Sequence, residues 1–236
     1  MHITSAGAEH APRYPLFLDI RHRRVVVVGG GNVAERKVMQ LLAYGPDLLV
    51  VSPEVTDGLK GHADRGDLTW LRQCFEPSVL DGALLVFCAV GREAVDAQVR
   101  AACDDRGILL NVADEPRTCD FIVPAVMRRG GFQVAVSTSG ASPGLAREVR
   151  WELERRYPPV WERYVALLGE VRGEVRRRYP DDPHMRRMLL GQVLTIGLPE
   201  RLEAGEQLDA GAVADELSAS SAGPSRRGGV SGKDLP

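Results

Sequence analysis

Metal-binding and membrane signals are scarce in this chain. Its four cysteines, Cys74, Cys88, Cys103 and Cys119, form no C-x-x-C pair, so the spacing offers no zinc site. They read as free thiols of a reducing compartment. The five histidines, His2, His10, His22, His62 and His184, cluster neither with one another nor with a cysteine, so no metal-ligand constellation is expected. No apolar run approaches the roughly 18 residues needed to cross a bilayer. The stretch from Met1 to Tyr14 lacks the apolar core of a signal peptide. These absences together point to a cytoplasmic protein without a membrane partner. Charge of one sign is also lacking. Thirty basic residues face 32 acidic ones, a net charge of −2, which leaves no overall nucleic-acid footprint. An anionic partner would have to be held by a local cluster of arginines.

What is present is a regular alternation of elements. Arg24 to Val28 is a short β-branched run ending at Gly29-Gly30-Gly31. From Val33 the period becomes helical, with Val33, Ala34, Val38, Leu41 and Leu42 on one face, until Gly45-Pro46 stops it. Leu48 to Val51 reads as the next buried strand, which completes a βαβ unit. Leu68 to Leu71 and Leu84 to Ala89 read as strands, Glu93 to Arg106 as a helix and Ile108 to Val112 as another strand. Strands alternating with helices imply a parallel sheet covered on both faces. After Asp114 the rhythm breaks. Phe121 to Val126 and Phe132 to Thr138 are expected as two strands around Arg128-Arg129-Gly130-Gly131. Ser142 then reads as an N-cap and Pro143 as the first residue of a helix reaching about Tyr157. Helical pattern continues over Val160 to Tyr179 and Pro183 to Leu194. From about residue 200 the chain turns to Gly, Ala, Ser and charge, and residues 200–236 are expected as a disordered tail.

The segment Gly29-Gly30-Gly31-Asn32-Val33-Ala34 fits G-x-G-x-x-A between a strand and a helix. That context turns a weak motif into a dinucleotide fingerprint. Gly29 would make the tight turn, Gly31 would let the backbone approach a pyrophosphate, and Ala34 would allow close helix–strand packing. The helix N-terminus offers free N–H groups to the phosphates. The second strand ends in Ser52-Pro53-Glu54. Ser52 stands near the usual ribose-binding carboxylate position and Glu54 lies two residues on. With no Arg there to take a 2′-phosphate, NAD is favoured over NADP. Glu54 reads equally well as a solvated loop carboxylate.

Five segments in order extend the pattern beyond one fingerprint: G-G-G-N-V-A-E-R-K (Gly29 to Lys37), S-P-E, N-V-A-D-E-P (Asn111 to Pro116), D-F-I-V-P-A (Asp120 to Ala125) and V-A-V-S-T-S-G-A-S-P-G-L-A-R (Val134 to Arg147). Together they resemble the precorrin-2 dehydrogenase and siroheme synthase N-terminal domain family. The resemblance implies an enzyme that passes hydride from precorrin-2 to NAD⁺ and releases sirohydrochlorin, on the way to siroheme or cobalamin. The full-length synthase fuses on a methyltransferase domain, which this chain is too short to carry, so methylation is expected from another protein. Some family members also insert Fe²⁺, so a dehydrogenase with ferrochelatase activity is one alternative. An NAD-sensing Rossmann module without catalysis is another.

On the same resemblance Asp114 matches the family's essential acid, and a carboxylate there can take the proton that follows hydride loss. Read alone, Asp114 is equally a turn aspartate. Asn32, Val33, Pro53 and Glu54 match positions that touch NAD. The substrate carries eight carboxylates, so arginines are expected around it, among Arg117, Arg128, Arg129, Arg147 and Arg150. Arg117, Arg147 and Arg150 are the foremost, together with the hydroxyl-bearing loop residues Thr138, Ser139 and Ser142. Relatives often carry Ser at the position of Thr138. Arg147 and Arg150 could equally form a solvated helix face with Glu148 and Glu152. The expected architecture is an α/β, Rossmann-like parallel sheet over residues 14–113 and a small strand-rich dimerisation region over 114–145. A helical domain over 146–199 completes it, in a homodimer.

Overall fold

The computed structural model describes residues 13–221, which divide into two compact units. The first holds residues 13–123 and 138–143; the second holds 124–137 and 144–221.

The first unit is built on a parallel sheet of five strands: β1 (Arg24–Val28), β2 (Asp47–Val51), β3 (Thr69–Leu71), β4 (Leu85–Cys88) and β5 (Leu109–Val112), in the order β3-β2-β1-β4-β5. Helix α1 (Asn32–Leu42) links β1 to β2, α2 (Asp57–Asp64) links β2 to β3, and α3 (Glu93–Asp104) links β4 to β5. The valine run of β1 is buried throughout because the sheet is covered on both faces. Val26 and Val28 join Leu49, Val51, Val86, Cys88 and Leu110 in one core, which α3 closes with Val99, Ala102 and Cys103. Val25 and Val27 join Leu48, Val50, Leu85 and Phe87 in the other, which α1 and α2 close with Ala34, Val38, Leu41 and Leu59. Each fully buried valine or leucine contributes about 1.5–3 kcal/mol. Val28 pairs in register with Val51 and Cys88, and Cys88 with Val112. The four strands therefore end level with one another, at the rim where ligands meet such sheets.

β5 is an edge strand, and side chains cover its outer amides. The backbone N–H of Leu110 donates to the Asp120 carboxylate at 2.8 Å, and that of Val112 to the Cys119 sulfur at 3.2 Å. The Asp120 N–H returns a bond to the Leu110 carbonyl at 2.9 Å. Unpaired strand edges invite wrong pairing; here the chain folds back and closes its own edge. This return takes up residues that alternation alone marked as strand. The expected strand over Phe121 to Val126 begins only at Ala125, because the Phe121 carbonyl accepts from Asn111 Nδ2 at 3.0 Å, a contact off any ladder. α2 is an element that hydrophobic period did not reveal; Thr56 caps it by accepting from the Leu59 N–H.

In the second unit β6 (Ala125–Arg129) and β7 (Phe132–Val136) form an antiparallel hairpin. Gly130 sits at φ +55°, as a two-residue turn requires. The Arg129 guanidinium donates to the carbonyls of Tyr157 (2.9 Å) and Glu154 (3.1 Å), at the end of α4 (Pro143–Arg156). It therefore satisfies carbonyls that a helix C-terminus leaves open. Phe132, Tyr157, Trp161 and Tyr164 form a chain of ring contacts at 4.7–5.4 Å beside it. α5 (Val160–Arg178), α6 (Pro183–Gln192), α7 (Leu198–Glu203) and α8 (Ala210–Ser221) enclose a separate core around Leu167, Val171, Val175, Leu189 and Leu198. α6 begins where Asp182 accepts from the Met185 N–H with Pro183 at its first position. The disordered tail expected from residue 200 is corrected over 200–221. Leu208, Val213, Ala214 and Leu217 are buried in this core, and alanines spaced among them suit a helix packed closely on α5. The rest of that expectation, residues 222–236, lies outside the described residues. No helix among the described residues is long and apolar enough to cross a membrane.

Candidate dinucleotide and proton-transfer site

The three glycines after β1 meet three different surroundings. Gly29 has φ +121°, and a Cβ there would stand 2.6 Å from the Ala89 carbonyl oxygen after β4. Its N–H donates to Val51 at 2.9 Å. A Cβ on Gly30 would stand 2.0 Å from the Glu54 carbonyl and 2.8 Å from Ser52 Oγ. The Gly30 carbonyl accepts from the Thr56 N–H at 2.9 Å. Gly31 has nothing within 4 Å of where its Cβ would be. The first two glycines are therefore used up by the fold, and the third faces open space. Gly31 is the residue before α1, and no side chain caps that helix. Its first-turn N–H groups form an electropositive end beside a backbone a phosphate can approach closely. Ala34 is fully buried, as close helix–strand packing requires. These features fit a dinucleotide diphosphate.

Ser52, Pro53 and Glu54 lie against this turn. The Ser52 carbonyl accepts from Trp70 Nε1 at 2.9 Å, which holds the strand end in place. Pro53 and Glu54 are exposed beside the exposed Gly31 and Asn32, with Val33 half-buried.

Asp114 follows β5 at the same rim of the sheet. It is exposed, with φ +64°, a left-handed conformation that favours glycine and is uncommon for other residues. Aspartate tolerates this conformation better than most side chains, and hydrogen bonds fix the backbone on either side of the turn. The Ala113 N–H donates to the Cys88 carbonyl at 2.8 Å. Beyond Asp114 the chain is anchored by Cys119, Asp120 and Arg100. The Arg100 guanidinium donates to the Thr118 carbonyl at 3.1 Å and to Asp120 at 3.0 Å. Burial raises the Cys119 thiol above its ordinary value, so it acts here as a neutral hydrogen-bonding group. The pattern of residues gave no structural role to Arg100, Cys119 or Asp120. Their task is visible only once β5 is known to be an edge. Lys37, on the second turn of α1, is half-buried; burial and then the like charge of Arg36 hold its ammonium below the ordinary lysine value, against smaller opposing effects of Cys119 and Asp114.

Of the other expected residues, Arg117 is exposed on the loop after Asp114. Thr138, Ser139 and Ser142 belong to the same unit as the glycine turn. Ser139 and Gly140 take φ +52° and +88°, the Ala141 N–H donates to the Thr138 carbonyl, and the Ser142 N–H donates to Thr138 Oγ at 3.0 Å. The threonine hydroxyl oxygen thus closes its own loop ahead of α4. Arg147 and Arg150 belong to the second unit. Both guanidinium groups lie 5.8 Å from the Trp151 ring centroid, and Arg150 pairs with Glu154. Arg128 and Arg129 lie on β6, and Arg129 is engaged with the end of α4. No cluster of three or more metal-ligating side chains occurs among the described residues.

The open glycine turn, the level strand ends and the strand order together define an NAD(P)-binding protein of Rossmann type. Residues 16–125 match the family described as putative NAD(P)-binding. Residues 129–156 match the sirohaem biosynthesis protein central family. The chain is thus a homologue of the siroheme synthases. It is 37% identical over 217 residues to siroheme synthase of Chromobacterium violaceum, covering 92% of this chain and 46% of that one. With siroheme synthase of Sodalis glossinidius it shares 36% over 197 residues, 82% of this chain and 42% of the relative. The chain spans less than half the length of these two relatives. The solved structure of SirC, a precorrin-2 dehydrogenase, shares the fold with a TM-score of 0.69 at 24% identity, over 88% of this chain and all of that one.

Proposed function

We propose that this chain is a precorrin-2 dehydrogenase that uses NAD⁺ to form sirohydrochlorin. The observation that carries the reading is the pairing, within one compact unit, of an open glycine turn with an exposed Asp114, set in a left-handed turn, at the rim of one sheet. Gly29 to Val33 would hold the diphosphate and Ser52 to Glu54 the ribose. NAD⁺ supplies a hydride acceptor when bound. Asp114 takes the proton that the tetrapyrrole carbon framework must lose once its hydride has gone. Two hydrogens leave the substrate, one as hydride and one as a proton, so the oxidation balances. The Arg100–Asp120 clamp and the Cys119 bonds hold the backbone on either side of the Asp114 turn. Within the first unit, Arg117 and the hydroxyls of Thr138, Ser139 and Ser142 would meet substrate carboxylates. Arg147 and Arg150 of the second unit are proposed as substrate arginines on the family resemblance alone. The protein would work in the cytoplasm as a homodimer, with residues 114–145 supplying the interface, and Fe²⁺ would be a second substrate if the product is metallated here.

The test is anaerobic. The protein is mixed with precorrin-2 and NAD⁺ while the absorbance of NADH and sirohydrochlorin is followed. The expected result is equimolar appearance of both. Asp114→Asn should keep NADH affinity within about twofold and lose at least about a hundredfold in turnover, the usual worth of a general base. Unchanged turnover in that variant would remove Asp114 from the mechanism.

A further inference from the structure

Lys37 is a cation that the dinucleotide site does not use. Its ammonium stands 5.8 Å from the centroid of the Phe87 ring on β4. Phe121 meets that ring edge-on at 5.3 Å, and Asn111 on β5 fixes the Phe121 backbone. Phe87 and Asn111 are register partners, and three residues beyond Asn111 the same strand end delivers Asp114. Lys37 thus stands over the pair of strands whose end leads into Asp114. Among the described residues no carboxylate lies within ion-pair distance of Lys37. Burial, with the like charge of Arg36, holds its ammonium below the ordinary lysine value, while Cys119 and Asp114 pull the other way. A half-buried ammonium without an ion pair has lost water and gained little in exchange.

The choice of residue is informative. Of the 30 basic residues only three are lysine: Lys37, Lys60 and Lys233. An ammonium is a compact point charge, whereas a guanidinium is a wide planar fork. A polyanionic ring arriving beside the Asp114 carboxylate would be repelled unless a cation stood next to both.

We propose that Lys37 receives one side-chain carboxylate of the tetrapyrrole beside Asp114 and so sets which edge of the ring faces that base. The inference rests on the dehydrogenase reading above and adds a specificity residue to it. Lys37→Met keeps the chain length over Phe87 and removes the charge; Lys37→Arg keeps the charge. In steady-state assays Lys37→Met should raise KM for precorrin-2 about tenfold or more, the worth of one charge-assisted hydrogen bond. The larger part of the change should fall in KM rather than kcat, NADH affinity should be unaltered, and Lys37→Arg should recover part of the loss. A KM within twofold of wild type, or an equal loss of NADH affinity, overturns the proposal. Should Lys37→Met not fold, the wild-type protein answers the question through acetic anhydride labelling read by peptide mass spectrometry. Sirohydrochlorin should protect Lys37 relative to Lys60, and NAD⁺ alone should not; equal labelling with and without sirohydrochlorin overturns it. If wild type itself fails to oxidise precorrin-2, the dehydrogenase reading has failed, a result distinct from either of these.

Discussion

Changing Gly29, Gly30 and Gly31 to alanine one at a time should separate folding from nucleotide binding. At Gly30 the new methyl would stand 2.0 Å from a backbone carbonyl, well inside contact distance, and the backbone of the Ser52–Glu54 segment would have to move. Overpacking of this kind costs about 1–3 kcal/mol or more. At Gly29 the cost combines a 2.6 Å approach to the Ala89 carbonyl with a φ of +121° that L side chains rarely adopt. That strain adds about 1–3 kcal/mol. Gly31 is different. Its φ of −83° and ψ of −174° suit alanine, and the methyl would meet nothing. The entropy gained against the unfolded chain, about 0.4–1 kcal/mol, offsets the weaker capping of α1. Gly31→Ala should therefore melt within about 2–4 °C of wild type, while the other two melt well below it. Nucleotide affinity should show the opposite order of interest. The Gly31→Ala methyl fills the space a diphosphate needs, and NADH affinity should drop at least about tenfold, some 1.4 kcal/mol. Thermal melts paired with NADH fluorescence titrations give both readings. A Gly31→Ala protein that binds NADH within twofold of wild type would refute the assignment of the open turn. A Gly30→Ala protein as stable as wild type would refute the steric reasoning.

Two further expectations concern stability. Asp120→Ala leaves the fully buried Leu110 N–H without its acceptor and removes one Arg100 bond. It should cost about 1–3 kcal/mol in chemical denaturation, and a loss below about 0.5 kcal/mol would show that the edge is not held this way. Burial pushes the Cys103 thiol up to about 11 and raises Cys88 also. A thiol whose folded pKa is raised contributes stability that is intact below its unfolded value, near 9, and is lost as pH rises toward the folded value. Stability read from chemical denaturation should therefore fall between about pH 9 and 11, by roughly 2–3 kcal/mol for Cys103. Cys103→Ala should flatten that slope; an identical slope in the variant would contradict the assignment.

Much of the nucleotide half was legible in residue order. The valine run of β1, the G-x-G-x-x-A turn and the helical period after Val33 are local signals, and each falls where the structure has its strand, turn and helix. So do β4, α3 and the start of α4 at Pro143. The roles within the glycine turn divided less evenly than the motif suggests. Gly30, the unspecified position of the fingerprint, turned out the most tightly enclosed, because its neighbour is a backbone carbonyl some 24 residues further on.

Local pattern determined which segments extend, which coil and where a phosphate could approach, because propensity, period and turn chemistry act over a few residues. Tertiary structure alone decided that β5 would be an edge, that Cys119 and Asp120 would cover it, and that Asp114 would be held in a left-handed turn as a consequence. It alone brought Lys37 from α1 over Phe87, and drew residues 200–221 into a helical core. These depend on contacts between residues far apart in the chain, which no short window of sequence contains.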